Sequence, residues 1–219
     1  MLMKQFVVVG LGRFGNSVAK KLYNMGYEVL GLDRSEGRTQ EAVEFTTHVI
    51  QVDATDEHAL KSLGLRNFDV GIVGIGQDIQ ASILATLLLK DMGVPYVVAK
   101  AQNELHGKVL WKTGADRVVF PERDMGTRVA NNLTTTNILD YIELAPDYSI
   151  AEITAPDFMV SKSLAKLDLR AKIGINVMAI KTGDNINVSP TADAIIKEGD
   201  ILVVIGSNKS LNKVEDHKK

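Results

Sequence analysis

Six residues near the N-terminus have the types and spacing to hold a phosphate chain: Gly10-Leu11-Gly12-Arg13-Phe14-Gly15. Gly10 permits a tight strand-to-helix turn, Gly12 lets the backbone approach a diphosphate, and Gly15 lets the helix pack on the strand. Unpaired amides at the start of the following helix attract phosphate oxygens. Asp33 closes the next apolar run, Val29-Leu30-Gly31-Leu32, 18 residues after Gly15, where its carboxylate can accept hydrogen bonds from ribose hydroxyls. A glycine loop alone equally fits a plain turn. The apolar run before it, the helical pattern after it and the placed acid turn the balance toward nucleotide binding.

Further polar and small residues fall where successive strands should end, the edge at which open α/β sheets take ligands. Asp53-Ala54-Thr55 follows the third strand, although Thr55 and Asp56 can equally cap the next helix. Gly74-Ile75-Gly76 follows the fourth and leaves room for an adenosine moiety. Lys100 closes the fifth and Glu122 follows the sixth, each alternatively an ordinary solvated charge. Arg13 is either a solvated helix-start arginine or a contact to the phosphates of its own ligand or of a neighbouring subunit's. A dehydrogenase needs no charge at that place. Glu122 can then serve a hard cation beside the phosphates, since such ions prefer carboxylate oxygen.

These residues need a scaffold of alternating strands and helices, and the hydrophobic pattern supplies one. Strands are expected at Gln5 to Val9, Val29 to Leu32, Thr47 to Val52, Val70 to Val73, Tyr96 to Ala99 and Arg117 to Phe120. Helices fit Arg13 to Met25, Glu36 to Glu44, Asp56 to Leu63, Asp78 to Met92 and Glu104 to Lys112. Gly26 and Gly93 stand where helix ends want glycine. Buried apolar strands alternating with helices predict a Rossmann-like, doubly wound parallel sheet over residues 1–124. Residues 125–145 read as helix, in one or two pieces beginning at Pro121, kinked at Thr134-Thr135-Thr136, with Val129, Leu133, Ile138 and Ile142 on its apolar face. Residues 146–212 then read as a small α+β lobe with strands at Ile150 to Ile153, Asn176 to Ile180, Ile186 to Val188 and Ile201 to Ile205. Gly183-Asp184-Asn185 separates two of these as a hairpin signal. From Ser207 the chain is polar and expected to fray, residues 213–219 forming a tail.

Composition narrows the function classes. The chain has 219 residues, 45% hydrophobic and 24% charged, the balance of an ordinary globular protein. A formal net charge of −2 without a Lys/Arg stripe gives no reason to expect nucleic acid. With no cysteine, disulfides, thiol catalysis and thiolate metal sites are excluded. The longest apolar stretch, Ile83 to Leu89, falls far short of the roughly 18 residues of a membrane span. Met1 to Val9 has no long apolar region or cleavage site, so a cytoplasmic location is expected.

Several segments are more specific than the glycine loop. Gly10 to Gly15, Asp78-Ile79-Gln80-Ala81-Ser82, Lys100-Ala101-Gln102-Asn103, Gly114-Ala115-Asp116-Arg117, Pro121-Glu122-Arg123-Asp124-Met125-Gly126 and Leu169-Arg170-Ala171-Lys172 closely resemble the Ktr-type potassium-uptake regulatory subunits. These are cytosolic RCK proteins (regulators of potassium conductance) related to TrkA. The resemblance runs from about Lys4 to Leu211. It implies an N-terminal lobe binding ATP or ADP, a crossover helix pair, and a C-terminal lobe binding cyclic di-AMP at a dimer interface. It further implies dimers assembled into an octameric ring under a membrane potassium transporter, at the inner face of the plasma membrane. Carried over by position, the nucleotide contacts are Gly10, Gly12, Arg13, Phe14 and Gly15 at the phosphates and Asp33 at the ribose, with Arg34 a further nucleotide contact. Asp53, Ala54 and Thr55 line the adenine side, and Ile75, Gly76 and Lys100 the adjoining wall. Glu122 sits by a cation, magnesium, calcium or sodium. The cyclic di-AMP pocket maps to Leu164, Ala165, Arg170, Asn176, Val177 and Pro190, although Arg170 also fits a helix-end charge and Asn176 a turn residue.

An NAD(H)-dependent oxidoreductase is the alternative, since Asp33 suits any ribose diol. It needs a positioned acid or base. The four histidines, His48, His58, His106 and His217, fall in helical, strand-edge or tail contexts, and no Ser-x-x-x-Tyr-Lys or Gly-x-Ser-x-Gly arrangement appears. The expectation is therefore a ligand-gated regulator without chemistry of its own.

Overall fold

Val7, Val8 and Val9 are all buried, which is what a strand covered on both faces requires. They belong to Gln5–Val9 (β1), the inner strand of a six-stranded parallel sheet in a computed structural model that describes residues 4–134 and 138–216. The other strands are Glu28–Asp33 (β2), His48–Gln51 (β3), Val70–Val73 (β4), Tyr96–Lys100 (β5) and Arg117–Val119 (β6). Their order is β3-β2-β1-β4-β5-β6, all pairs parallel, with Val8 registered against both Gly31 and Ile72. The order reverses between β1 and β4, and this switch point opens a crevice at the carboxyl edge.

Because side chains alternate along a strand, β1 feeds two cores. Val7 and Val9 join Leu32, Val73, Leu89 and Leu110 on one face, while Val8 joins Leu11, Ala19, Val29 and Ile72 on the other. Helices Glu57–Lys61 (α3), Ile79–Asp91 (α4) and Glu104–Lys112 (α5) contribute to the first core; Arg13–Asn24 (α1) and Glu36–Ala42 (α2) cover the second. Asp56, Asp78 and Asn103 cap α3, α4 and α5, their side-chain oxygens accepting the amides of Ala59, Ala81 and His106.

Compact packing divides the chain into Met1–Asp124 and Met125–Lys219, and the helix Pro121–Thr134 (α6) carries the chain from one to the other. The second unit is an antiparallel sheet of Ile138–Ala145 (β7), Tyr148–Thr154 (β8), Ile175–Thr182 (β9), Asn185–Val188 (β10) and Ile201–Ser207 (β11), in the order β10-β9-β11-β8-β7. Two short helices, Leu164–Leu167 (α7) and Leu169–Lys172 (α8), meet at Asp168, whose φ of 44° lies in the left-handed region. Leu167, Leu169, Ile173, Ile180, Leu202 and Val204 form this unit's core.

The structure corrects two expectations. The helix expected to run to Ala145 is described as far as Thr134, and the next described element, β7, is a strand from Ile138. Pro146-Asp147 makes a two-residue turn, with Ala145 opposite Tyr148, so β7 pairs along β8 in place of continuing a helix. The crossover is accordingly one described helix, not a pair. Val129, Leu133 and Ile142 are exposed rather than a buried face, Leu133 at 82%. Thr135 and Thr136 of the expected kink lie outside the described residues, as does His217. The polar tail is the second correction: Asn208–Asp216 (α9) is a helix, with Leu211 and Val214 only 2% and 1% exposed in the second core. Ser207 starts it, its Oγ accepting the Ser210 amide at 3.1 Å.

A candidate nucleotide cleft at the switch point of the parallel sheet

The turn from β1 into α1 is fixed by three kinds of contact. The Gly10 amide donates to the Leu32 carbonyl at 2.7 Å, and its φ of +89° is one that side chains rarely permit. The Leu11 amide donates to Asp33 Oδ2 at 2.7 Å. A Cβ on Gly15 would stand 1.9 Å from the Gly10 carbonyl oxygen, so the loop closes onto α1 only without a side chain there. Gly12 caps α1 without a side chain, and no acid stands in the first turn, which leaves the helix-start amides facing outward for an anion.

This loop borders a cleft of about 290 Å³ in the first unit. Of the expected nucleotide residues, Gly10, Gly12, Arg13, Phe14, Asp33, Arg34, Asp53, Ala54, Thr55, Ile75, Gly76, Lys100 and Glu122 all line it. Gly15 does not, because its place is the packing contact just described. Gly74 lines the cleft but is also a packing residue, a Cβ there meeting the Gly10 oxygen at 2.9 Å. The space left by Gly76 faces the ammonium of Lys100, 3.4 Å from where a Cβ would sit. The room expected for adenosine from Gly74-Ile75-Gly76 is thus spent in part on loop packing and on this lysine.

Asp33 is buried and already engaged. Its Oδ1 accepts the Ser35 amide at 2.8 Å, and Arg38 approaches its Oδ2 at 3.4 Å. A carboxylate offers about four acceptor sites, so a place remains for a hydroxyl. Asp53 turns on itself, its Oδ1 accepting the Thr55 amide at 2.9 Å and hydroxyl at 2.7 Å. Those bonds from Thr55, the amide's first, hold the Asp53 carboxyl below its usual range. Asp56, not Thr55, caps α3.

On the opposite wall Lys100 Nζ meets Glu122 Oε1 at 2.5 Å. That bond is the main cause holding the Glu122 carboxyl below its usual range, and the Arg13 charge adds to it. Glu122 is the second residue of α6 and 68% exposed. No group of three or more metal-ligating side chains occurs among the described residues. One carboxylate beside a phosphate site nonetheless fits a magnesium-like ion, which keeps several waters and takes its remaining ligands from phosphate.

Sequence reasoning missed three polar lining residues, Arg38, Gln77 and Asp78, and the apolar Val9, Leu32, Val52 and Ala81. Arg34 reaches Asp78 at 3.6 Å across the cleft. In the sequence Asp78 marked only a helix start and one of the segments that carry the family resemblance. Arg38 lies on α2, five residues past Asp33, with no local motif to mark it.

In the second unit Leu164 and Ala165 lie on α7, Arg170 is exposed on α8, and Asn176 and Val177 lie on β9, against which α8 packs. The Leu164 and Ala165 amides donate to the Ala194 and Ala192 carbonyls at 3.1 and 2.8 Å, which ties α7 to the segment just after Pro190. The expected second-ligand residues therefore fall in one module of this unit.

A doubly wound parallel sheet followed by a small antiparallel unit defines an α/β protein of the Rossmann-plus-C-lobe kind. The chain matches the TrkA-N domain over residues 6–121 and the TrkA-C domain over residues 149–219. It is 49% identical over 214 residues to the Ktr system potassium uptake protein C of Bacillus subtilis (strain 168), covering 98% of this chain and 97% of that one. It is 47% identical over 213 residues to the Ktr system potassium uptake protein A of the same organism, covering 97% and 96%. Among solved structures, the GsuK RCK domain has this fold, with a TM-score of 0.68 at 18% identity over 98% of this chain and 47% of that one. The chain belongs to the Ktr-type family of RCK potassium-uptake regulatory proteins.

Proposed function

We propose that this chain is the regulatory subunit of a potassium uptake transporter, binding ATP or ADP in the cleft of its first unit and cyclic di-AMP on its second. The observation that carries the reading is the cleft. Helix-start amides, Arg13 and Lys100 give it a phosphate end, Asp33 a polar place for a sugar, and Asp53, Ala54 and Thr55 a wall for a base. The relatives are named for potassium uptake. No described helix is long and apolar enough to cross a membrane. In this reading the pore belongs to a partner, and the regulator sits beneath it at the cytoplasmic face of the plasma membrane. Met125, Val129 and Leu133 recur every four residues on α6 and are exposed, which suits a second copy of the chain and, through dimers, an octameric ring. The oxidoreductase alternative is disfavoured by the histidines. His48, His58 and His106 do not line the cleft, and His106 is buried in α5, where burial pushes its imidazole toward the neutral form.

A thermal-shift panel of ATP, ADP, NADH and cyclic di-AMP tests the reading. A ligand that binds only the folded state at a hundredfold excess over its Kd adds about 2.7 kcal/mol of stability. No shift with any nucleotide defeats the proposal, and a shift with NADH alone favours the alternative.

Arg13→Ala is expected to weaken ATP more than ADP. A planar guanidinium on a terminal phosphate makes bidentate bonds that water does not replace. Equal losses place Arg13 on the shared diphosphate, and no loss returns it to a solvated helix start.

Arg170→Ala is expected to remove cyclic di-AMP binding and leave ATP untouched. A two-fold interface presents each contact twice to a ligand that is itself two-fold symmetric, so one substitution deletes two charge-assisted bonds. An unchanged cyclic di-AMP isotherm in this variant counts against the assignment.

A further inference from the structure

Lys100 is the less exposed partner of its ion pair, with 12% of its side chain accessible against 68% for Glu122. Lysine heads are rarely so covered unless paired. Three features from three parts of the chain make the place for this one. Glu122 at the start of α6 meets the ammonium at 2.5 Å, the Phe14 ring centroid of the glycine loop lies 5.9 Å away, and Gly76 leaves the gap beside it. The site thus already holds a cation on Glu122, and that cation is the protein's own.

We propose that Lys100 is a resident counter-ion that a metal ion must displace from Glu122, and that it thereby sets the cation dependence of ligand binding in the cleft. The inference rests on reading the cleft as a nucleotide site. Arg13, Lys100 and Glu122 sum to one positive charge beside the glycine loop. Arg34 and Arg38 are paired with Asp78 and Asp33, and Asp53 adds a negative charge elsewhere in the cleft, so the attraction for a metal-free anion is local to Arg13 and Lys100. A metal ion entering with the phosphates competes with the ammonium for the same carboxylate, since the two cations repel each other at one acceptor. The four-carbon stem of Lys100 has the freedom to turn its head from Glu122 to a phosphate oxygen. Lys100 thus has two partners in turn: it holds Glu122 until a metal takes it, and then meets a phosphate oxygen.

The test uses the full chain with Lys100→Met, Lys100→Arg and the double variant Lys100→Met/Glu122→Gln. ATP affinity is measured calorimetrically in EDTA. Mn²⁺ affinity is measured by loss of the free-ion paramagnetic signal, with protein in excess so that all ATP is bound. Lys100→Met is expected to weaken metal-free ATP about tenfold and to tighten Mn²⁺ by a similar factor, the size of one charge-assisted hydrogen bond. Lys100→Arg keeps the charge and stays near the wild type in ATP binding. The double variant loses the Mn²⁺ gain. A merely structural lysine would move both affinities downward together or neither, and either result overturns the proposal. Failure of the wild-type chain to bind any nucleotide overturns the cleft reading itself, so the two failures are distinct.

Discussion

Asp33→Ala is expected to weaken ATP and ADP alike and to lower the melting temperature in one step. The carboxylate accepts the Leu11 amide, which holds the glycine loop, and the Ser35 amide, which begins the path into α2. Alanine leaves both donors without a partner, at about 1–3 kcal/mol for each that stays buried. The melting temperature should then fall on the order of 5–10 °C. The lost ribose contact adds on the order of 1.5–3 kcal/mol to the binding loss. Because the loop also loosens, the variant alone does not assign the ribose contact. Wild-type protein with 2′-deoxyATP does: if Asp33 receives the ribose hydroxyls, the deoxy ligand binds about tenfold more weakly with the fold untouched. Calorimetry giving equal affinities for ATP and 2′-deoxyATP, with ADP unchanged in Asp33→Ala, would remove Asp33 from the ligand's surroundings.

The parallel sheet was legible because its strands announce themselves. Val7-Val8-Val9 is apolar at consecutive positions, as a doubly covered strand is, and the glycine turn after it settles strand over buried helix; Asp33 ends β2 where the crevice opens. The cleft residues followed from the same logic of strand ends. The segment Ile138-Leu139-Asp140-Tyr141-Ile142 was not legible in this way. Its apolar spacing suits a helix as well as a strand, and the choice is made by pairing with β8 across the Pro146-Asp147 turn. Composition hid α9: a stretch rich in Lys, Asn and Ser reads as tail, yet Leu211 and Val214 stand three apart and are enough to anchor it in the core. Arg38 enters the cleft from a helix surface, and only the path of α2 beside Asp33 puts it there.

Gly12 and Gly15 belong to one motif, yet their alanine variants are expected to fail in opposite ways. A methyl on Gly12 meets no atom within 4 Å, and its φ of −74° is one alanine adopts freely. Gly12→Ala should therefore fold with a melting temperature near the wild type, the weaker cap offset by reduced freedom of the unfolded chain. Its methyl nevertheless occupies the wall where a diphosphate must approach the backbone, so ATP and ADP should lose affinity together. Gly15→Ala puts the methyl 1.9 Å from the Gly10 carbonyl oxygen, a backbone atom that no rotamer change can move. Overpacking against a fixed neighbour costs about 3 kcal/mol or more, a melting-temperature drop on the order of 10 °C. Thermal melts and ADP calorimetry on both variants separate the roles. A stable Gly15→Ala would mean that α1 can shift away from the sheet. A Gly12→Ala protein with full ADP affinity would mean that the diphosphate does not pass over this loop, and the phosphate end of the cleft would have to be sought at Lys100 alone.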